Sequence, residues 1–118
     1  DAVFSKYIRW YYADSNGYVE CYTCNVSKPV KEMQCGHFQS RKHRSTRWHT
    51  NNCRPQCVKC NMFSQGEQYM FGKLLESEIG KDEVDKILAT SRKTIKLGKV
   101  DLECLVEHYT KELKKLTP

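Results

Sequence analysis

The sequence predicts a mainly helical α+β domain with one small β-hairpin, and three observations carry that prediction. Apolar residues recur at helical spacing near the start and throughout the second half of the chain. Two brief runs between them read as strands, and two C-x-x-C pairs, Cys21/Cys24 and Cys57/Cys60, bracket the middle.

Taken in order, Val3, Phe4, Tyr7, Ile8 and Tyr11 form the apolar stripe of a first helix over Ala2 to Tyr12, and Asp14 to Gly17 supplies turn residues. Tyr18 to Glu20 and Glu32 to Phe38 read as strands flanking the first cysteine pair and a Lys28-Pro29 turn. Gln39 to Arg54 has no periodicity and reads as a loop. After Cys57 a helical pattern carries Met62 and Phe63, is interrupted at Gly66, and resumes through Tyr69, Phe71, Leu74, Leu75 and Ile79 until Gly80 stops it. Asp82 to Arg92 repeats the period with Val84, Ile87, Leu88 and Ser91. Asp101 reads as the N-cap of a last helix bearing Leu102, Leu105, Val106, Tyr109, Leu113 and Leu116, on whose apolar face Cys104 is expected to be buried.

A chain of 118 residues, 39% hydrophobic, suits one small domain. Within it residues 1–17 form the amino-terminal helix, 18–66 a zinc-knuckle core and 67–118 a helical carboxyl-terminal part. No apolar run approaches the roughly 20 residues that span a bilayer, and no signal-peptide pattern opens the chain, so an intracellular protein without a membrane partner is expected. The first residue is Asp1 and not Met, as expected of a fragment of a longer protein.

Charge placement is more informative than net charge. No Asp or Glu occurs between Glu32 and Glu67, whereas Arg41, Lys42, Arg44, Arg47, Arg54 and Lys59 all fall there. Elsewhere basic and acidic residues balance, so the whole net charge of +6 resides in this interval. Such a segment attracts polyanions through its field and counterion release, which makes nucleic acid the leading partner; a solvated basic loop is the plainer reading.

Seven cysteines fit poorly with a closed disulfide framework. Two C-x-x-C turns instead offer Zn²⁺ four thiolates, Cys21, Cys24, Cys57 and Cys60, with no position left for water, as structural sites have. The chain between the pairs is longer than the roughly 15 to 20 residues usual in compact zinc modules, so it must fold as an insertion of its own. Cys35 and Cys53 flank that insertion and can exchange with a knuckle thiol as ligands.

The insertion carries a resemblance. "VFSKYIR" near the start, "CGHFQSR" with His43 following, "TRW" and "NCRPQCVKCN" with a subsequent Gly66 resemble, in order and spacing, the phage lambda NinG (Rap) recombination-nuclease family. More broadly, His37 at a strand end, Asn52 shortly before Cys57 and Asn61 after the second knuckle resemble HNH, or ββα-metal (His-Me finger), nucleases. The similarity continues through "GKDEVDKI" and the last helix.

This resemblance implies a zinc-bracketed ββα-metal core packed by the amino-terminal and carboxyl-terminal helices. It implies a structure-selective endonuclease that hydrolyses phosphodiesters in branched recombination intermediates, four-way (Holliday) junctions and D-loops, leaving 5′-phosphate and 3′-hydroxyl ends. His37 is then the general base, Asn61 the ligand of a catalytic Mg²⁺ or Mn²⁺, and Asn52 the residue that orients loop and base. Asn51 takes that place if the register slips by one.

Residue chemistry is compatible with each role. Histidine titrates near neutral pH, and an amide oxygen suits a hard cation that also keeps waters and phosphate oxygens. Plainer readings remain open: His37 as a packed or zinc-ligating histidine, Asn61 as a helix N-cap. Arg41, Lys42, Arg44, Arg47 and Arg54, with His43, are the DNA-binding set, and Trp48 either stacks on a base or braces the loop. His43 and His49 are alternative bases.

Gly36 stands where many HNH enzymes have an Asp ligand, as it does in the NinG-like pattern, so a weak catalytic metal site is expected, with Gln39, Ser40 or Glu67 as candidate further donors. Symmetric junction cutting implies a homodimer on DNA, and a phage-encoded chain would act in the host cytoplasm. The rival reading is a non-catalytic zinc-ribbon DNA-binding module.

Overall fold

The computed structural model describes residues 1–118. Helix α1, Ala2–Tyr11, buries Phe4 and Ile8 one turn apart, and Trp10 packs beside the thiol-rich middle of the chain. Its stop is local: Asp14 Oδ1 accepts the backbone N–H groups of Asn16 and Tyr18 at 2.9 and 3.0 Å, and Gly17 takes φ +77°.

Two antiparallel hairpins follow where the sequence suggests one. Strands β1, Tyr18–Glu20, and β2, Ser27–Pro29, pair with Tyr18 opposite Pro29, so the first C-x-x-C is the loop of this hairpin. After a 3₁₀ turn, Val30–Glu32, strand β3, Gln34–His37, pairs with β4, Cys53–Gln56, in the register Gln34 to Gln56 and His37 to Cys53. The expected strand over Glu32 to Phe38 is thus shorter and begins later.

The segment 39–54, read as a loop, is more ordered than its composition suggests. It contains a single helical turn α2, Arg44–Arg47, a 3₁₀ turn, Thr50–Asn52, and the first two residues of β4. All four β4 residues are buried, which removes the polar/apolar alternation that would have announced a strand.

Beyond Cys57 the chain makes a π-helical turn, Lys59–Phe63, and breaks at Gly66, φ +81°. Helix α3, Gln68–Ile79, ends at Gly80, φ +90°, and α4, Lys81–Ser91, packs against it through Phe71, Leu75 and Val84. Helix α5, Lys99–Leu116, returns to α1, where the Tyr109 ring meets Phe4 and Tyr7, each at 4.9 Å between centroids. Its N-cap is Gly98 and not Asp101: the Asp101 carboxylate reaches back to the Gly98 N–H at 2.9 Å from inside the first turn. Cys104 is exposed, contrary to the expectation that it joins the core, because α5 touches the body through only part of its apolar stripe and buries no residue fully.

Only 21 of 118 residues are buried, and all the core hydrophobic residues but Ile87 divide into three small clusters. One of them includes Cys21, Cys57 and Cys60 packed with Val19, Val30 and Met33, so the thiols form part of a core too small to hold alone. No helix is long and apolar enough to cross a membrane.

Candidate functional site

The four knuckle cysteines converge. Cys21 and Cys24 come from the β1–β2 loop, Cys57 and Cys60 from the end of β4 and the π-helical turn, and their sulfurs all lie within 4.8 Å of one another. Cys24 and Cys57 Sγ are 3.6 Å apart, and the Cys60 N–H points at Cys57 Sγ from 3.5 Å. Burial works against ionising Cys21, but backbone N–H groups of Cys57, Cys24 and Thr23 and the Thr23 hydroxyl outweigh it and bring the thiol to about 6. Burial pushes Cys60 up to about 12 against a hydrogen bond from Thr23, and hydrogen bonds with the Cys57, Cys24 and Cys21 thiols reinforce the rise. A set of four sulfur donors with that conflict fits Zn²⁺, which neutralises several thiolates at once.

A second feature is a cleft of about 320 Å³ beside β3, lined by His37, Asn61, Gln34, Cys35 and Arg41 together with Asp1. His37 ends β3, and its Nε2 lies 2.9 Å from the Arg47 carbonyl oxygen. A carbonyl only accepts, so Nε2 carries the proton and the lone pair of the neutral ring is on Nδ1. Burial lowers the ring's pKa below the ordinary histidine range, assisted by the charges of Arg41 and Arg47 against the opposing pull of the Arg47 and Cys35 backbone. Asn61 lies inside the π-helical turn and caps no helix. Its Nδ2 donates to Gln34 Oε1 at 2.8 Å, which turns Oδ1 away from Gln34 as a free acceptor.

Asn52, fully buried, clamps the segment between the strands. Its Oδ1 accepts the Gln39 N–H at 2.7 Å, and its Nδ2 donates to the Gln39 and Thr46 carbonyls, each at 3.0 Å. Asn51 makes no such bridge; its N–H donates to His49 Nδ1 at 3.2 Å. Gly36 has a packing reason: a Cβ there would lie 2.0 Å from Gln56 Oε1, while Gln56 Nε2 is committed to Thr23 Oγ1 and the Gly66 carbonyl at 3.0 and 2.9 Å. Gln39 and Ser40 are engaged elsewhere, with Ser91 and the Lys42 N–H respectively, and neither they nor Glu67 line the cleft.

The family of the chain is decided by its whole length: the family model described as Bacteriophage Lambda NinG protein matches residues 1–118. The chain belongs to the NinG family. No curated protein and no solved structure is similar enough to match it.

In this NinG-family chain the basic residues separate into three groups. Arg41 and Arg47 both hold the Asp1 carboxylate, Arg41 at 3.1 Å through Nη2, and Trp48 Nε1 donates to the same carboxylate at 3.0 Å. Trp48 also lies beneath the guanidinium groups of Arg44 and Arg47, at 5.9 and 5.1 Å, and so braces the segment. Lys42, His43 and Arg44 face a separate open depression of about 440 Å³ that Arg92 and Lys93 complete from the end of α4. The sequence reading missed Arg92 and Lys93; the adjacent pair at a helix end was the only signal.

Arg54 is a correction. Expected on DNA, it is buried, its Nη2 is 3.1 Å from Glu78 Oε2, and Nη1 donates to the Cys53 and Thr50 carbonyls. The rings of Tyr12 and Tyr22 lie 5.3 and 5.5 Å from its guanidinium carbon. Arg54 ties β4 to α3 and has no surface to offer a phosphate. His43 and His49 stay outside the cleft that His37 and Asn61 share.

Proposed function

We propose that this chain is a metal-dependent DNA endonuclease of the HNH, or ββα-metal, type, acting on branched recombination intermediates. The observation that carries the reading is the joint placement of His37 and Asn61 in one cleft, with the His37 proton held on Nε2 by the Arg47 carbonyl. Membership of the NinG family and the thiol cluster agree with it.

Each residue has a task. His37 Nδ1 takes a proton from water, and the water oxygen forms its bond to phosphorus. The bond from phosphorus to the 3′ oxygen breaks, and that oxygen leaves with a proton from solvent, giving 5′-phosphate and 3′-hydroxyl ends. Asn61 Oδ1 would hold a divalent cation such as Mg²⁺, which would supply charge neutralisation on the phosphate. Asn61 is kept oriented by Gln34, and Arg41 at the rim adds positive charge near the substrate. Asn52 holds the connection from His37 to Thr46 and thereby the carbonyl against which the base rests. The knuckle cysteines contribute stability and the position of the turn bearing Asn61.

Lys42, Arg44, Arg92 and Lys93 form the surface for the DNA backbone beyond the cleft. A two-fold pair of chains on a junction would cut it symmetrically.

The test is cleavage of end-labelled four-way junction and linear duplex by the zinc-loaded protein with Mg²⁺ or Mn²⁺, beside His37→Ala and a chelator control. Junction cutting that both controls abolish supports the reading. Retention of DNA by a folded, zinc-loaded protein that cuts with neither cation sinks it in favour of a binding module.

A further inference from the structure

Outside the four-thiol cluster, one other set of ligating atoms converges: Cys35 Sγ, a His37 ring nitrogen and Cys53 Sγ all lie within 4.8 Å of one another. Strand register is responsible. His37 pairs directly with Cys53, and Cys35 is two residues before His37, so alternation puts all three side chains on one face of the β3–β4 hairpin. Neither cysteine is in a disulfide. Behind them the site is dry, because Cys53 packs against Phe4 and Ile8, with Trp48 and Tyr109 around it. In front, Cys35 and His37 open onto the cleft.

We propose that Cys35, His37 and Cys53 form a second metal site, selective for a soft divalent ion such as Zn²⁺, and that its occupation silences the cleft by taking the His37 lone pair. Two thiolates and one imidazole make a borderline-soft donor set that suits Zn²⁺ or Co²⁺ and not Mg²⁺ or Ca²⁺. Three protein ligands complete a tetrahedron with a water from the cleft, the open arrangement that closed structural sites lack. On binding, the two thiol protons leave to solvent and no redox step is involved. A neutral imidazole has one lone pair, so an ion bound at either ring nitrogen leaves none for a catalytic water, and soft metal and DNA hydrolysis are mutually exclusive. The silencing half rests on the nuclease reading; the metal site does not.

The experiment uses the full chain loaded with one Zn²⁺ per molecule, titrated with Co²⁺ under anaerobic, reducing conditions and followed by thiolate-to-cobalt charge-transfer absorption. Wild type is expected to take up one further ion per chain with that band, and Cys35→Ser/Cys53→Ser to lose it, with circular dichroism reporting the fold. If the double variant fails to fold, Cys35→Ser alone, at a half-exposed position, must show the same loss. No further thiolate-bound Co²⁺ in wild type, or its persistence in a folded variant, overturns the site. In parallel, a slight excess of Zn²⁺ should abolish Mg²⁺-dependent junction cutting by wild type and spare Cys35→Ser. Wild type that binds the second ion and still cuts overturns the silencing. Spectroscopic binding by a protein that never cuts DNA leaves the metal site standing and overturns both the nuclease reading and the silencing.

Discussion

His37 Nε2 lies 2.9 Å from the Arg47 carbonyl oxygen, and this contact determines which ring nitrogen is free to accept a proton. The carbonyl belongs to the single-turn helix α2, which Asn52 fixes through Thr46, so the His37 ring, the basic segment and the buried amide form one hydrogen-bonded unit.

Burial, with Arg41 and Arg47 nearby, holds His37 below the ordinary histidine value of about 6.5. A base must be neutral, so cleavage should persist as pH falls past 6.5 and decline only at the lower native value. The sign for stability is opposite to that of a salt-bridged histidine. The unfolded chain takes up the proton first, so stability is full above about 6.5 and falls as pH is lowered from there towards the native value. A pH profile of kcat/KM gives the acid limb, and an acid limb at or above 6.5 would contradict the burial argument.

Asn52→Ala should cost about 3 kcal/mol of stability, because it leaves the part-buried Gln39 N–H and carbonyl and the buried Thr46 carbonyl without their partner. Urea unfolding measures the loss. The same variant should cut DNA poorly at temperatures where it remains folded, since the Arg47 carbonyl is no longer held. Unfolding at the wild-type midpoint would show that the clamp contributes nothing.

Gly36→Ala should destabilise by about 1–3 kcal/mol, since the new Cβ meets Gln56 Oε1 and displaces an amide already hydrogen-bonded to Thr23 and Gly66. Gly36→Asp should be worse still and should not strengthen metal binding, because the carboxylate enters a buried, occupied position. Thermal unfolding ranks the three proteins, and a Gly36→Asp variant with wild-type stability and tighter Mn²⁺ binding would refute the packing argument.

The ion pair of Arg54 and Glu78 should govern acid stability. Burial opposes the charge on Glu78, but hydrogen bonds from Arg54 and Tyr22 outweigh it and keep the carboxyl below its ordinary range. Its contribution is therefore present above the unfolded carboxyl value and is lost as pH falls through the lower native one. Glu78→Gln should cost about 2 kcal/mol at neutral pH, a figure reduced for the solvent exposure of Glu78, by leaving the buried Arg54 without a counter-charge. The variant's unfolding free energy should also lose part of its dependence on pH below neutrality.

What the sequence by itself determined is what depends on neighbours along the chain. The two C-x-x-C turns, the helix periods of α1, α3 and α4, the Asx turn at Asp14 and the stops at Gly66 and Gly80 each follow from torsional preference or short-range hydrogen bonding. The acid-free interval around His37 was equally visible, because charge is a property of composition. Tertiary structure alone decided the rest. Strand β4 was hidden in "CRPQ", a stretch with a buried Arg and Gln, because their burial depends on Glu78 and Gly66 being brought to them from later in the chain. Arg54 is therefore withdrawn from the surface, and Arg92 and Lys93 join Lys42 and Arg44 around one depression from the end of α4. The β3–β4 register put Cys35, His37 and Cys53 on one face, and Gln34 beside Asn61 across the cleft. Such juxtapositions are set by pairing between distant segments, which local propensity does not encode.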